Sequence, residues 1–186
     1  MQKIPYKLIE CGDSELIEKL TPLLIGQVFH VTPPEGYKGI RQAGYIKRNI
    51  NNQFPPTFCK KSETSLARLK GHISLVDLRD LEVDQIDAGR GLFDFYDPPV
   101  FNSFYTEHNP FFLFLSEELY PNLVKYTQEE CQKENCKGHA VATPIEVGIP
   151  RDIPLSKIEM VLEVRIHGDS MARTLEEAFK NSRCPS

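Results

Sequence analysis

A histidine and a threonine stand two residues apart in a short apolar run, QVFHVT, at residues 27–32. The valines and the phenylalanine of this run favour a β-strand, and two prolines end it. The imidazole of His30 can both donate and accept a hydrogen bond, and it could ligate a metal if partners lay near it. His30 could equally be a core histidine whose two ring nitrogens are satisfied within the protein.

A carboxylate is the second candidate for chemistry. Glu146 lies between Ile145 and Val147, directly ahead of the proline-rich turn GIPRDIPLS. If its side chain faces a cleft, the charge can stabilise a cation that develops in a transition state; otherwise Glu146 points outward from an alternating strand. Glu163 also lies between apolar residues, and Glu159 is a third choice. We prefer Glu146 for its position before the turn.

The five cysteines of the chain are spread and odd in number, which argues against a disulfide framework. Cys131, Cys136 and His139 could be metal ligands, but their spacing departs from that of a zinc knuckle. We interpret them as free thiols and a histidine near a helix end, and we expect no metal. The best basic cluster could be a solvated face or could attract an anionic ligand; it comprises Lys60, Lys61, Arg68 and Lys70.

Short elements separated by many turns must position these residues. Apolar periodicity predicts helices at residues 13–25, 34–43, 63–70, 117–134 and 170–180, and strands at 27–32, 72–78, 111–115, 140–147 and 158–166, with a short extended piece at 45–47. Gly44 is placed to stop the second helix. Residues 84–109 have little periodicity, which is typical of a functional or mobile segment. The order of elements predicts an α+β fold with a largely antiparallel sheet.

Composition limits the classes of protein. A chain of 186 residues is long enough for one domain, residues 1–186, with its own core. The net charge of −4 gives no overall attraction to nucleic acid or to an anionic membrane. The longest apolar run, Phe111–Leu115, is far too short to span a bilayer, and the N-terminus lacks a signal-peptide core. We therefore expect a cytoplasmic protein.

Three segments together resemble the ADP-ribosyltransferase (ART) family. The strand with His-x-Thr and the following helix, which ends in GIRQAGYI, look like the first motif of that family. The strand GHISLVDLR, with Ser74 at its centre, resembles the second motif. The strand of Glu146, followed by GIPRDIPLSKIEMVLEV, resembles the third. The likeness extends from about residue 27 to 166 and is greatest to the small bacterial DNA-modifying toxins of the family and related ART-like proteins.

The resemblance implies split antiparallel sheets with short peripheral helices, and NAD as the substrate. It implies that Glu146 is the catalytic residue, which binds the 2′-hydroxyl of the nicotinamide ribose. The NAD-binding residues would be His30, Thr32, Tyr37, Gly44, Tyr45 and Ser74, with the two tyrosines bordering the nicotinamide. The expected partners are NAD, a nucleic acid or protein that accepts ADP-ribose, and a cognate antitoxin or immunity protein; no membrane partner is expected.

A second hypothesis keeps the fold and removes the catalysis. The chain would then be a binding module for a protein or a nucleotide. The two hypotheses differ in geometry, because the enzyme requires the side chains of His30 and Glu146 to face one cleft. A hydrolase is the least favoured reading, since no Ser-His-Asp or Cys-His set has an interpretable spacing.

Overall fold

The structure is a computed structural model and describes residues 3–12, 15–54, 65–80, 109–134 and 145–166. The strands are β1 Tyr6–Cys11, β2 Val28–Thr32, β3 Tyr45–Ile46, β4 Ile73–Asp77, β5 Phe111–Leu115, β6 Val124–Lys125, β7 Glu146–Ile149, β8 Ile153–Pro154 and β9 Ile158–Ile166. The helices are α1 Leu16–Leu24, α2 Pro34–Ala43, α3 Leu66–Leu69 and α4 Gln128–Lys133, and short 3₁₀ turns span Ile50–Asn52, Glu117–Asn122 and Leu155–Lys157.

Seven strands form one sheet in the order β1-β9-β5-β2-β4-β7-β6, and β3 and β8 form a second, two-stranded sheet. All strand pairs are antiparallel except β1 with β9. The mixed α+β class predicted from the sequence is therefore confirmed. The parallel strand β1 was not predicted, because it is an edge strand whose residues are mostly exposed and so carry no apolar alternation.

The large sheet has an apolar layer on each face. The first face, which we call the α2 face, packs against α2 and the small sheet, and its buried residues include Val28, Ile73, Leu75, Leu113, Val147, Ile149 and Val161, with Ile46 and Ile153 of the small sheet. The second face, which we call the α1 face, packs against α1, and its buried residues include Phe29, Phe112, Phe114 and Leu162, with Leu16, Leu20 and Leu24 of the helix. Both layers follow from the alternation of side chains along each strand.

The helix predicted at residues 117–134 is wrong. A 3₁₀ turn, the strand β6 and the separate helix α4 occupy this stretch. Pro121 cannot donate a backbone hydrogen bond, which disfavours a continuous helix. Thr127 starts α4 with a capping box: its Oγ1 accepts from the amide of Glu130 at 3.2 Å, and Glu130 Oε2 accepts from the amide of Thr127 at 3.0 Å.

Other boundaries shift by a few residues. The helix predicted at 13–25 is α1, Leu16–Leu24, and within the stretch predicted as a helix at 63–70 the structure has α3, Leu66–Leu69. Of the strand predicted at 140–147, residues 140–144 lie outside the described residues, and β7 spans Glu146–Ile149. Most of the irregular segment 84–109 and the helix predicted at 170–180 lie outside the described residues. Within the described ranges, no helix is long and apolar enough to cross a membrane.

Candidate functional site

Three of the residues singled out in the sequence meet at the centre of the large sheet. Strands β2, β4 and β7 are neighbours and carry His30, Ser74 and Glu146. The hydroxyl of Ser74 donates to Glu146 Oε1 at 3.1 Å, and the backbone carbonyl of Ser74 accepts from His30 Nδ1 at 2.9 Å. Two separate hydrogen bonds, one to the backbone and one from the side chain of Ser74, therefore link the three strands.

The register explains why Ser74 and Glu146 meet. The β4–β7 ladder pairs Ser74 with Gly148 and Val76 with Glu146. Paired residues project from the same face, so Ser74 and Glu146 are diagonal neighbours there. Ser74 is exposed and Glu146 is half-buried among the described residues, which leaves both polar groups within reach of a ligand.

His30 approaches Ser74 from the other face of the sheet. Phe29 pairs with Val76, which in turn pairs with Glu146, so these three side chains share the α1 face. His30 is the next residue after Phe29 and projects to the α2 face. The β2–β4 ladder has two residue pairs and ends at Phe29 and Val76. Beyond that end, the His30 imidazole itself bridges to β4, so His30 and Glu146 do not line one cleft side by side.

The environment of His30 fixes where its ring proton lies. A carbonyl oxygen can only accept, so Nδ1 of His30 donates to Ser74. Burial lowers the pKa of His30, although the bond to Ser74 acts in the opposite direction. The ring is then neutral, and its Nε2 is a free acceptor that could take a hydrogen bond from a ribose hydroxyl.

The lowered pKa of His30 predicts a loss of stability in acid. The unfolded chain, in which histidine has a pKa of about 6.5, binds more protons than the folded chain below that pH. The stability due to neutral His30 is present above pH about 6.5 and is lost as the pH falls through the folded pKa; the pKa of His72 is lowered too and adds to the effect. Urea unfolding should give a lower free energy of unfolding at pH about 5.5 than at pH about 7.5. In His30→Asn, which removes the titrating ring, the fall should be smaller; an equal fall would contradict the assignment.

Thr32 lies beneath α2 and is 5% exposed. A Cβ atom on Gly36, in the first turn of α2, would lie 2.1 Å from Thr32 Oγ1. The hydroxyl therefore packs against the helix at a place where only glycine fits. Its NAD-binding role stays a prediction, and in this structure the Thr32 side chain supports α2.

The other predicted NAD-binding residues surround α2. The ring of Tyr37 stacks on Phe111 with centroids 4.4 Å apart, which attaches α2 to β5. Gly44 ends α2 with a left-handed φ of 82°, as its position in the sequence predicts. Tyr45 follows on β3, half-buried, with the ammonium of Lys47 5.6 Å from its ring centroid. Tyr37 packs against the apolar layer of the α2 face, the face from which His30 projects.

The two rival carboxylates have other surroundings. Glu163 is 8% exposed, and its Oε1 accepts from Arg165 Nε at 2.6 Å, which accounts for the buried charge. Glu159 is exposed on β9. Glu146 is the carboxylate that the fold places against Ser74, and its catalytic role stays a prediction.

Two residues beside Glu146 were missed in the sequence. His72 Nδ1 lies 2.8 Å from Tyr126 Oη, above Gly148, where a Cβ atom would be 1.9 Å from that oxygen. Burial raises the pKa of Tyr126, and the charge of Glu146 raises it further. Strand alternation could have placed His72 on the face of Ser74, two residues away. Tyr126 could not be found, because its segment was predicted as helix.

The structure leaves the proposed metal ligands untested. Cys131 is buried on α4, and Cys136 and His139 lie outside the described residues. Among the residues that the structure does describe, no three histidine, cysteine or acidic side chains are grouped as metal ligands.

The chain was compared with protein-family models, with curated proteins and with solved structures, and none of them matches. The resemblance to ADP-ribosyltransferases therefore stays a prediction from the three sequence motifs.

Proposed function

We propose that this protein is an NAD-dependent ADP-ribosyltransferase of the ART-like class, which transfers ADP-ribose from NAD to a macromolecular acceptor. One observation carries the proposal. The three motifs lie far apart in the chain, yet His30, Ser74 and Glu146 are joined by two hydrogen bonds across neighbouring strands. They reach this place from opposite faces of the sheet, so the single cleft expected of the enzyme is not formed side by side, and the transferase requires NAD to pass through the sheet at the end of the β2–β4 ladder.

Glu146 serves the transition state in this proposal. The bond between C1′ of the nicotinamide ribose and the ring nitrogen breaks, and its electron pair stays with nicotinamide. Positive charge develops on the ribose, where the carboxylate of Glu146 stabilises it and accepts a hydrogen bond from the 2′-hydroxyl. The acceptor oxygen or nitrogen then bonds to C1′ and releases its proton to solvent. Ser74 holds the carboxylate in place through its hydroxyl.

The end of the β2–β4 ladder is the place where NAD would cross the sheet. His30 offers Nε2 as an acceptor on the α2 face, against which Tyr37 packs, and Glu146 projects from the α1 face beside Ser74. A dinucleotide that passes the end of this ladder would contact both groups. The acceptor of ADP-ribose would be a nucleic acid or another protein. The transferase itself would act in the cytoplasm, and an antitoxin or immunity protein would inhibit it.

A non-catalytic binding module for a nucleotide or a protein is the second candidate. The observation in its favour is that His30 and Glu146 project from opposite faces of the sheet, as the registers of β2, β4 and β7 require. In that case the hydrogen bonds of Ser74 would stabilise the sheet, and the exposed groups would bind a ligand without cleaving it.

Calorimetric titration of NAD and an assay of nicotinamide release separate these proposals. The enzyme predicts both binding and release, with release sensitive to Glu146. Binding of NAD without release would favour the binding module. No binding at millimolar NAD would reject NAD as the ligand, and with it the transferase.

A further inference from the structure

The two histidines at the site are held in opposite tautomers. His30 Nδ1 faces a carbonyl and must carry the proton, whereas His72 Nδ1 faces the hydroxyl of Tyr126. Tyr126 is 5% exposed, and a buried hydroxyl hydrogen needs an acceptor. Within the described part of the chain, Tyr126 Oη has no hydrogen-bond partner besides His72. The hydroxyl therefore donates to Nδ1, and the proton of neutral His72 lies on Nε2.

His72 presents this N–H on the face that carries Glu146. His72 and Ser74 are two residues apart on one strand segment, and a Cβ on Gly148 would lie 3.0 Å from His72 Nδ1. The imidazole is half-buried, and its Nε2 has no hydrogen-bond partner among the described residues. A neutral donor that is fixed by a buried tyrosine thus remains open for a ligand.

Two cations flank the imidazole. The side chain of Arg48 donates to the carbonyl of Pro150 at 2.8 Å; Pro150 follows Ile149, which pairs with Ile73, the residue after His72. Lys70 Nζ lies 5.9 Å from the ring centroid of Tyr126. Both charges lower the pKa of His72 after burial, the larger cause, so the ring stays neutral.

Among the residues that the structure describes, the acidic side chains on the neighbouring elements include Glu130, Asp152 and Glu146. Glu130 forms an ion pair with Lys70 at 2.6 Å, and Asp152 accepts from the amide of Arg48 at 2.9 Å. The Lys70–Glu130 pair is partly exposed and contributes little, so an anionic ligand can compete for Lys70. The space beside His72, near Arg48 and Lys70, can therefore accommodate a phosphate oxygen of a ligand that Glu146 binds.

We propose that His72 is a substrate-binding residue, whose Nε2–H donates to an oxygen of the phosphate attached to the nicotinamide ribose. The inference rests on the proposed function, because Glu146 must hold the 2′-hydroxyl of the same ribose. The carboxylate of Glu146 lies 3.1 Å from the hydroxyl of Ser74, and His72 precedes Ser74 by two residues, about 7 Å along the strand. This spacing suits a ribose whose 2′-hydroxyl is held by Glu146 beside Ser74 and whose 5′-phosphate projects from the opposite end of the sugar toward His72. Tyr126 is a positioning residue, which acts through the tautomer of His72.

Nicotinamide mononucleotide and nicotinamide riboside test this inference, since they differ only in that phosphate. In His72→Leu, the Kd of the mononucleotide should rise about tenfold or more, the expected effect of losing one hydrogen bond to a charged group, while that of the riboside stays unchanged. His72→Gln keeps a side-chain N–H near the position of Nε2 and should retain most of the affinity. Titration calorimetry measures the affinities of wild type and of both variants, and thermal unfolding shows whether His72→Leu is folded. If it is not, wild type and His72→Gln are compared at raised salt, which should weaken the binding of the mononucleotide and leave that of the riboside unchanged.

Nitrogen-15 NMR of the histidine rings gives a readout that needs no activity. Wild-type His72 should carry its proton on Nε2, and Tyr126→Phe should show a mixture of both tautomers with weaker mononucleotide binding. If both ligands bind His72→Leu as tightly as wild type, or if both affinities fall equally, His72 does not contact the phosphate. That result overturns this inference and leaves the proposed function standing. If wild type binds neither NAD nor the mononucleotide, the proposed function fails and this inference fails with it.

Discussion

Glu146→Gln is expected to reduce nicotinamide release by about a hundredfold to a thousandfold, the size of effect typical of losing one preorganised electrostatic group in a transition state. The variant removes the negative charge and almost nothing else. In wild type the Ser74 hydroxyl donates to Glu146 Oε1 at 3.1 Å. The amide oxygen of glutamine can take the position of Oε1 and accept the same hydrogen bond. NAD affinity should therefore change little, because the charge stabilises the developing cation more than the ground state.

Glu159→Gln is the matched control for this experiment. It makes the same chemical change at an exposed site on β9 and should alter neither release nor unfolding. Glu163→Gln tests the rival, which pairs with Arg165, and should affect stability more than release. Release that survives Glu146→Gln and fails in Glu163→Gln would transfer the catalytic role to Glu163. If Glu146→Gln loses release and its cooperative unfolding together, Glu146 is structural.

The strands of the site could be predicted because their sequences combine apolar runs with clear ends. Phe111–Leu115 is buried at every position and matches its prediction to the residue. Val28–Thr32 ends at two prolines, and Gly44 ends α2 because a left-handed residue there is compatible with glycine. Turn and cap chemistry is local, so it is visible in a single sequence.

The face of each side chain could not be predicted, because it depends on register between distant strands. His30 and Glu146 were expected at one cleft, and the pairing of Phe29 with Val76 is what separates them. A shift of one residue would have reversed that result. The position of Tyr126 could not be predicted for a related reason. Tyr126 directly follows β6, a strand of two residues whose pairing with β7 cannot be recognised from its own short sequence.

Gly148→Ala is expected to cost about 1–3 kcal/mol in the free energy of unfolding, as overpacking of a buried position does. The new Cβ would lie 1.9 Å from Tyr126 Oη and 3.0 Å from His72 Cβ, and Gly148 is buried on a strand with neighbours on both sides, so these neighbours must move. Gly39→Ala is the control: nothing lies within 4 Å of a Cβ there, and alanine within α2 should be neutral or stabilising. Urea denaturation of both variants measures the difference.

A double-mutant cycle identifies the atom responsible. In the Tyr126→Phe background the nearest oxygen is absent, so Gly148→Ala should cost at least 0.5 kcal/mol less, roughly the lower limit for residues in contact. An equal cost in both backgrounds would mean that Tyr126 Oη is not what excludes the methyl group. The folded fraction of Gly148→Ala should also release less nicotinamide, although Glu146 is intact. Displacing Tyr126 removes the hydrogen bond that keeps the proton of His72 on Nε2. The glycine would then matter to the site through the hydroxyl that it accommodates.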